Sequence, residues 1–326
     1  MYADVELRRH STETHAMQLR ATAHHSNRVS QASVQVGDAT ILRIEERLGP
    51  AVPPEILLPG LDSALLREHA SWLEPQHRDP ATGLLVISIH SWLLRTGAHT
   101  ILIDACAGND KQRLRPESAE FHEQRAPWLE RLAAQGVRPE DVDFVMCTHL
   151  HVDHVGWNTR LVDGRWVPTF PNAKYLFSRR EYEFWDPRRR MLPPHANDGV
   201  FEDSVLPVVE AGLAELVDGA HEPVEGLRIE PAPGHTPGHF IVHLTSAHRE
   251  ALFSGDLMHH ALQVWAPELN SAFCEDPVQA TATRRRVLDA CCERDVLVLP
   301  AHFGAPHAGR VRARRGGGFA FEFMAR

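Results

Sequence analysis

The 326-residue chain lacks any apolar run near the roughly 18 residues that a membrane-spanning helix requires. Its N-terminus also lacks the apolar stretch of a secretory signal, so we expect a cytoplasmic protein with no membrane partner. Basic residues do not predominate. The formal net charge is −9, whereas a nucleic-acid partner normally requires a basic face. Cysteine is scarce, and an odd number of five scattered residues is typical of reduced cytosolic thiols rather than of a disulfide framework.

Hydrophobic residues, in contrast, make up 43% of the chain and are sufficient for a large core. Composition alone leaves one large α/β domain or two smaller ones open, and the absence of a recognisable linker after residue 39 favours one. Residues 1–34 are rich in His, Ser, Thr, Arg and Ala without a sustained period, which predicts a flexible N-terminal extension. Residues 35–326 are then the folded domain. The sequence leaves a homodimer open but gives no positive signal for one.

Histidine is abundant, with 22 residues, and its densest cluster is His149-Leu150-His151-Val152-Asp153-His154. Neutral imidazole and carboxylate groups are the usual ligands of zinc and similar divalent metals. The preceding apolar run, Asp143 to Cys147, predicts a buried strand, and functional groups often lie on loops just past such strands. Four donors are too many for one catalytic metal with an open position and too few for two. The cluster therefore predicts further ligands downstream.

Three more candidate ligands follow strand-like or turn segments later in the chain. His235 lies in the turn Pro233-Gly234-His235-Thr236-Pro237-Gly238-His239, Asp256 follows Phe253-Ser254-Gly255, and His302 follows the apolar run from Leu297. The seven donors can hold two metals if one carboxylate bridges them. Isolated histidines are expected to be surface or packing residues. These are His90, His122, His195, His221 and His243.

The order and context of these segments resemble the metallo-β-lactamase superfamily. Its motifs are His-x-His-x-Asp-His, Gly-His-Thr-Pro-Gly-His, Ser-Gly-Asp and a late His, and Asp104 resembles the aspartate of its first motif. The resemblance covers roughly residues 39–326 and is similar in pattern to the methyl parathion hydrolase and lactonase-type members. It implies an α/β protein with an αββα sandwich, in which two packed mixed β-sheets are flanked by helices.

The resemblance also implies how the metals are held. Two divalent ions are expected, with zinc first and iron, manganese or cobalt also compatible with nitrogen and oxygen donors. A hydroxide that bridges two cations is a nucleophile near neutral pH, which makes the ligands Asp153 and Asp256 part of the catalytic apparatus. His239 is expected to support the site without binding metal. The resemblance assigns one metal to His149, His151 and His235, and the other to Asp153, His154 and His302, with Asp256 bridging both.

The bridging carboxylate narrows the expected reaction. The resemblance associates Asp256 with hydrolases of lactones, thioesters and phosphotriesters, whereas classical zinc β-lactamases lack a bridging carboxylate at this position. We therefore expect a hydrolase that opens lactones or cleaves carboxylic esters of small molecules. A phosphotriesterase or a thioester hydrolase is the alternative. A β-lactamase is disfavoured, and so is a di-iron redox protein, which needs a flavin-binding partner domain.

Residues next to the motifs are candidates for substrate contact. Related lactonases place a proton-donating Tyr three residues after the bridging Asp, where this chain has His259. In a near-extended segment His259 and His260 point to opposite sides, and His259 is favoured over His260 as the donor to the leaving group. The alternative is that both rings only pack or bond to the backbone. Trp157, Trp265 and Phe303 are candidates either for an apolar pocket or for ordinary core packing.

Hydrophobic periodicity and capping signals predict the remaining elements. Helices are predicted at 127–136, at 178–185, at 204–211, and from an N-cap at Asp276 to about Glu293. Cys291 and Cys292 are interpreted as small residues of this last helix. Strands are predicted at 39–44, 84–94, 100–104, 143–147, 174–177, 227–229, 240–245, 251–254 and 296–299.

Overall fold

The computed structural model describes residues 33–189 and 193–325, which belong to one compact unit spanning Ala32–Arg326. The predicted flexible extension therefore lies, up to residue 32, outside the described residues. Its predicted end at residue 34 is slightly late. Val34 already belongs to the first strand and pairs with Ile41.

Two seven-stranded sheets contain most of the strands. The first has the order β1-β2-β3-β4-β5-β8-β9, and the second has the order β10-β11-β12-β13-β14-β15-β16. Strands β6 and β7 form a separate hairpin. In the first sheet the bounds are β1 Val34–Val36, β2 Ala39–Val52, β3 Leu85–Arg95, β4 Thr100–Ile103, β5 Phe144–Met146, β8 Lys174–Ser178 and β9 Ala214–Val217; the hairpin is β6 Thr159–Val162 and β7 Arg165–Pro168. In the second sheet they are β10 His221–Val224, β11 Leu227–Pro231, β12 Phe240–Ser246, β13 Arg249–Gly255, β14 Leu297–Pro300, β15 Gly309–Ala313 and β16 Phe319–Phe323.

Eight α-helices and four short turns connect these strands within the described residues. The longest helix begins after Asp276, whose side chain accepts a hydrogen bond from the amide of Gln279 at 2.9 Å, with Pro277 in its first turn. The helices are α1 Pro54–Leu57, α2 Ser63–Glu68, α3 Ala70–Leu73, α4 Trp128–Ala134, α5 Arg179–Trp185, α6 Leu206–Glu210, α7 Leu262–Trp265 and α8 Pro277–Arg294; the 3-10 turns are Pro116–Phe121, Pro139–Asp141 and Gly156–Asn158, and a π-turn spans Phe201–Val205.

Alternation of side chains along the strands builds three apolar layers. In β14, Leu297 and Leu299 belong to the layer between the two sheets, whereas Val298 packs in a layer with α8 residues such as Val287. Residues on the other face of the first sheet pack with Trp128 and Leu132 of α4. Successive strand residues point to opposite faces, so both sheets are covered on both sides. Each sheet contains parallel and antiparallel neighbours, and the predicted αββα sandwich of two mixed sheets is confirmed.

Three strand ends and one turn meet at the same edge of the sandwich. The β13 and β14 strands are parallel and both end there, at Gly255 and Pro300. Because β12 runs antiparallel to β13, the connection from β11 into β12 lies at that edge too. The loop after β5 joins it, since the amide of Phe240 donates to the carbonyl of Thr148 at 2.9 Å. This edge therefore carries every segment that supplies a predicted metal ligand.

Most predicted elements lie within a few residues of their observed bounds, and two departures have a local cause. The predicted helix at 204–211 is a π-turn followed by α6, and Pro207, which has no amide hydrogen to donate, lies in the first turn of α6. The short helices α1 to α3 and the β15-β16 hairpin have no counterpart among the predictions, because each is too brief to develop a period. No helix in residues 33–189 and 193–325 is both long and apolar enough to cross a membrane.

Candidate metal centre

The loop after β5 is held tightly against the rest of the first sheet. The carboxylate of Asp104 accepts hydrogen bonds from the amide of Thr148 at 2.7 Å and from its hydroxyl at 3.0 Å. Gly156 closes the loop, where a Cβ atom would lie 1.8 Å from the carbonyl oxygen of Ala107, so a larger residue does not fit. The loop buries the imidazoles of His149 and His154 almost completely.

His235 reaches this loop from the turn between β11 and β12. Its Nε2 lies 3.1 Å from Nε2 of His149 and 2.9 Å from Nδ1 of His151. Gly234 allows the approach, because its φ is +133° and a Cβ atom there would meet the backbone of Ala280 at 2.2 Å. Three imidazoles from two loops thus converge on one point.

Asp256 lies between this trio and a second group. Its Oδ2 is 3.3 Å from Nε2 of His235 and 3.7 Å from Nε2 of His149. Its Oδ1 is 2.9 Å from Nε2 of His302 and 3.3 Å from Nε2 of His154. One carboxylate therefore contacts both groups, each through a different oxygen.

The second group consists of Asp153, His154 and His302. The two imidazoles face each other through Nε2 at 3.2 Å, and each Nε2 is 3.6 Å from a carboxylate oxygen of Asp153. Behind them, Nδ1 of His154 donates to Asp104 at 2.9 Å and Nδ1 of His302 donates to the carbonyl of Ser88 at 3.0 Å. These outer hydrogen bonds leave the Nε2 lone pairs directed inward.

The donor set fits two metal ions. One ligand atom from each of His149, His151, His235 and Asp256 lies within 4.8 Å of the others, and the same holds for Asp153, His154 and His302. Because Nδ1 of His154 and of His302 each donates to an oxygen, both Nε2 atoms of the neutral rings carry lone pairs that face each other at 3.2 Å, and a shared cation satisfies both. Nitrogen and carboxylate donors in this number are those that zinc and related divalent ions prefer. The structure thus brings all seven sequence-predicted donors together.

Burial and charge set opposite protonation tendencies in the two groups. Burial holds the pKa of His149 and His235 well below the usual value and lowers that of His151 to about 3, so these imidazoles are neutral and ready to donate lone pairs. Burial also acts on His154 and His302, but Asp256 and Asp153 outweigh it and raise both pKa values. Since a ligand must be deprotonated, metal binding at the second group is expected to release protons.

Two buried carboxylates that the sequence did not reveal hold the loops in place. Glu181 of α5 accepts from the amide of Gly238 at 2.7 Å and from the amide of Leu150 at 3.2 Å, which ties the two ligand loops together. Glu46 accepts from the amides of Ala107 and Gly108, each at 3.0 Å. Burial raises the pKa of both carboxyls. A lone glutamate in a strand or in the first turn of a helix gives no sequence signal for such a role.

His239 lies behind Asp256, as expected from its place in the motif. Its Nε2 accepts from the amide of Asp256 at 3.0 Å, and its Nδ1 donates to the carbonyl of Ala232 at 3.1 Å. Both ring nitrogens are therefore used in fixing the backbone around the shared carboxylate.

The two histidines after Asp256 point in different directions. Nε2 of His259 lies 3.2 Å from Oδ2 of Asp256, and its ring stacks against that of His302 with centroids 5.7 Å apart. His260 turns away and donates from Nε2 to the carbonyl of His77 at 2.9 Å. The geometry thus places His259, and not His260, at the candidate centre.

A pocket of about 730 Å³ opens above the donors, with Asp153, Asp256 and His302 among its lining residues. Its aromatic lining differs from the candidates named on sequence grounds. Trp157 stacks on Trp128 in the core, Trp265 stacks on Trp72, and Phe303 packs on Phe321. Among the described lining residues, Phe121 and Phe273 supply phenyl rings, and neither belongs to a motif.

His195 was expected to be a surface or packing residue, and its ring lies beside Trp185 with centroids 5.1 Å apart. It also lines the pocket, where its Nε2 lies 3.3 Å from a carboxylate oxygen of Glu275. The interpretation of His90 as a packing residue agrees with its burial against Trp92.

Burial raises the pKa of several cysteine thiols. All five are free thiols. Cys274 lines the pocket 3.9 Å from Nδ1 of His235, but burial raises its pKa to about 11. Cys106 and Cys147 are fully buried, with pKa values that burial raises well above the ordinary value. Thiols with raised pKa values are poor nucleophiles near neutral pH.

Comparison with known proteins identifies a matching family profile and several relatives. The sequence profile of the metallo-beta-lactamase superfamily matches residues 85–302, more than half of the chain. An N-acyl homoserine lactonase from Bacillus cereus is 30% identical over 104 residues, which are 32% of this chain and 33% of that protein. The chain thus spans about a third of the length of the first relatives that it matches.

Two solved structures extend the likeness to most of the fold. The hydrolase AbOPH of the beta lactamase superfamily has a TM-score of 0.73 and 25% identity, with 90% of this chain and 97% of that chain covered. AidC, a dizinc quorum-quenching lactonase, has a TM-score of 0.69 and 19% identity over the same shares of the two chains, a likeness that concerns the fold alone.

Proposed function

The chain belongs to the metallo-beta-lactamase superfamily, and we propose that it is a dinuclear metal-dependent hydrolase that opens lactones or cleaves carboxylic esters. One observation carries the proposal. Asp256 contacts both donor groups through separate oxygens at the floor of a pocket of about 730 Å³. A shared carboxylate of this kind is suited to two ions side by side, and an open pocket gives a small molecule access to them.

Two groups of three residues have separate roles in such a reaction. His149, His151 and His235 would hold one ion, while Asp153, His154 and His302 would hold the other. When bound, a pair of divalent ions supplies an activated water nucleophile and polarises the substrate carbonyl. Burial of the donors excludes bulk water and strengthens these electrostatic effects.

His259 is proposed as the proton source for the leaving group. It is buried, it lies in the pocket, and it contacts Asp256. Its Nδ1 has no hydrogen-bond partner among the described residues. In its imidazolium form the ring carries a proton on both nitrogens, so it can donate one to a departing alkoxide and, once neutral, recover one from water. Such a donor matters most for a poor leaving group.

The relatives support the choice of reaction and of metal. Several are N-acyl homoserine lactonases, and the structural neighbour AidC is described as a dizinc lactonase. We therefore propose zinc as the first ion to test and lactones and esters as the first substrates.

A substrate screen tests the proposal. Zinc-loaded protein is assayed against an aliphatic lactone, an aryl ester, a thioester, a phosphotriester and a β-lactam, and Asp256→Asn protein serves as the matched control. The expected result is turnover of the lactone or the aryl ester that chelation abolishes, zinc restores and the control lacks. Turnover confined to the phosphotriester, the thioester or the β-lactam would contradict the proposed substrate class, and ester turnover that survives chelation would contradict the metal mechanism.

A further inference from the structure

We infer that the pocket selects substrates whose acyl portion is apolar and electrically neutral, and that it disfavours anionic ones. This inference rests on the proposed hydrolysis of lactones or esters and deepens it, because it concerns the charge of the substrate that the same site accepts. It follows from the distribution of apolar and acidic side chains around the pocket.

One wall of the pocket is aliphatic. Ile87 and Ile89 of β3 lie beside Ile56 and Leu57 of α1 in its lining. Ile56 and Phe273 of the lining are 56% and 39% exposed, so their apolar surface is open to an acyl chain. An acyl chain that covers these surfaces is stabilised by its removal from water.

The charged side chains at the rim are acidic. Glu117, Glu120 and Glu275 line the pocket, and among the described lining residues the charged side chains other than histidine are all carboxylates. Glu120 forms an ion pair with Arg47, which does not line the pocket. Glu275 faces His195, which carries a charge only when it is protonated.

Two effects would oppose the binding of an anionic substrate in this pocket. A carboxylate at the remote end of an acyl chain loses hydration against the aliphatic wall without a cation to replace it. It also approaches the rim glutamates, and like charges repel more strongly at a partly buried site than in bulk water. At the floor, Asp153 and Asp256 would offset two of the four positive charges that two divalent ions bring. A neutral acyl chain avoids both effects.

Three 4-nitrophenyl esters of equal acyl length test the inference. The acyl groups are hexanoyl, hexanoyl ending in a carboxylate, and hexanoyl ending in a trimethylammonium group. We expect kcat/KM for the carboxylate ester to be about tenfold or more below that for plain hexanoate, and the trimethylammonium ester to lie between them. Equal values for the carboxylate and plain esters would overturn the inference. Equal losses for both charged esters would overturn it too, because polarity rather than the sign of the charge would then decide.

Matched variants connect the selectivity to the rim. Glu117→Gln should narrow the ratio between the neutral and the carboxylate ester by about two- to fivefold. Glu225→Gln serves as the control, since Glu225 is an exposed carboxylate near the β10-β11 turn and does not line the pocket. An unchanged ratio in Glu117→Gln protein would contradict a role for the rim charge.

A binding measurement separates this inference from the proposed function. The zinc-loaded and the metal-free protein are each titrated with hexananilide and with the monoanilide of adipic acid, which resist hydrolysis, and binding is followed by calorimetry. If none of the three esters is hydrolysed but hexananilide still binds about tenfold more tightly, the charge selection stands and the proposed reaction fails. Equal binding of the two anilides overturns the charge selection whatever the hydrolytic result.

Discussion

Replacing Asp104 by asparagine is expected to weaken one of the two proposed metal positions by about 10- to 100-fold and to leave the other nearly unchanged. The carboxylate of Asp104 accepts from Nδ1 of His154 at 2.9 Å and from the amide of Thr148 at 2.7 Å. Asparagine offers one oxygen and one NH₂ group in place of two oxygens. Whichever way the amide is oriented, one N–H donor faces its NH₂ group instead of an acceptor.

The magnitude follows from the tautomer of His154. With the carboxylate present, Nδ1 carries the proton and the Nε2 lone pair faces the donors of the second group, 3.2 Å from Nε2 of His302. If the amide NH₂ faces Nδ1, the favoured tautomer places the proton on Nε2, which then cannot ligate a metal. The expected loss corresponds to about 1.4 to 2.7 kcal/mol of binding free energy. Asp104 has a φ of +59°, a conformation that asparagine tolerates, so the substitution adds little backbone strain.

Competition with a fluorescent zinc chelator measures this effect as two stepwise dissociation constants. Asp218→Asn is the matched control, because Asp218 is an exposed carboxylate that pairs with Arg179 at the surface. The control should reproduce both constants of the unmodified protein. If Asp104→Asn weakens both constants equally, or neither, the proposed orientation of His154 by Asp104 is wrong.

Three further predictions follow from buried groups around the centre. Glu181→Gln places an amide NH₂ against a backbone N–H donor, so the free energy of unfolding measured by urea titration should fall by about 1 to 3 kcal/mol, and retention of full stability would contradict the bridging role. His259→Ala should slow hydrolysis of an aliphatic lactone by roughly 100-fold or more but barely affect a nitrophenyl ester, and equal small effects at unchanged metal content would remove it from the mechanism. Burial lowers the pKa of His260 to about 4, so the unfolded state binds more protons than the folded state between about pH 6.5 and 4, and stability falls as the pH falls through that window. In the metal-free protein, His260→Gln should reduce the difference between the free energies of unfolding at pH 7 and at pH 4 by about 3 kcal/mol, as measured by urea titration. An unchanged difference would refute the attribution to His260.

The sequence signals for the candidate site are local, and the structure brings the seven predicted donors together. Each predicted donor follows a strand end or sits in a tight turn, and parallel strands such as β13 and β14 bring their ends to the same edge. The alternation in β14 and the capping signal at Asp276 are likewise local, and the predicted fold is confirmed. The metal assignment stays a prediction, although the structure brings Asp256 into contact with both donor groups.

What the sequence did not reveal depends on contacts between distant segments. Glu181 lies 31 residues from Leu150 and 57 from Gly238, so nothing near it in the chain indicates that it joins their loops. The pocket wall includes residues of α1, a helix of four residues without a hydrophobic period. Trp157 was a candidate for the pocket because it follows a motif, but its indole N–H donates to buried Glu46 at 2.7 Å and holds it in the core.

The metal content of the purified chain tests the central claim most directly. Protein prepared without chelator, and the same protein after incubation with zinc and removal of the excess, are analysed for metal by mass spectrometry against protein concentration. The seven donors, which include Asp256, predict a value that approaches two ions per chain. Asp256→Ala should lower this value, because the Asp256 carboxylate contacts both groups. A firm value of one ion per chain, with no gain on adding zinc, would contradict the dinuclear centre.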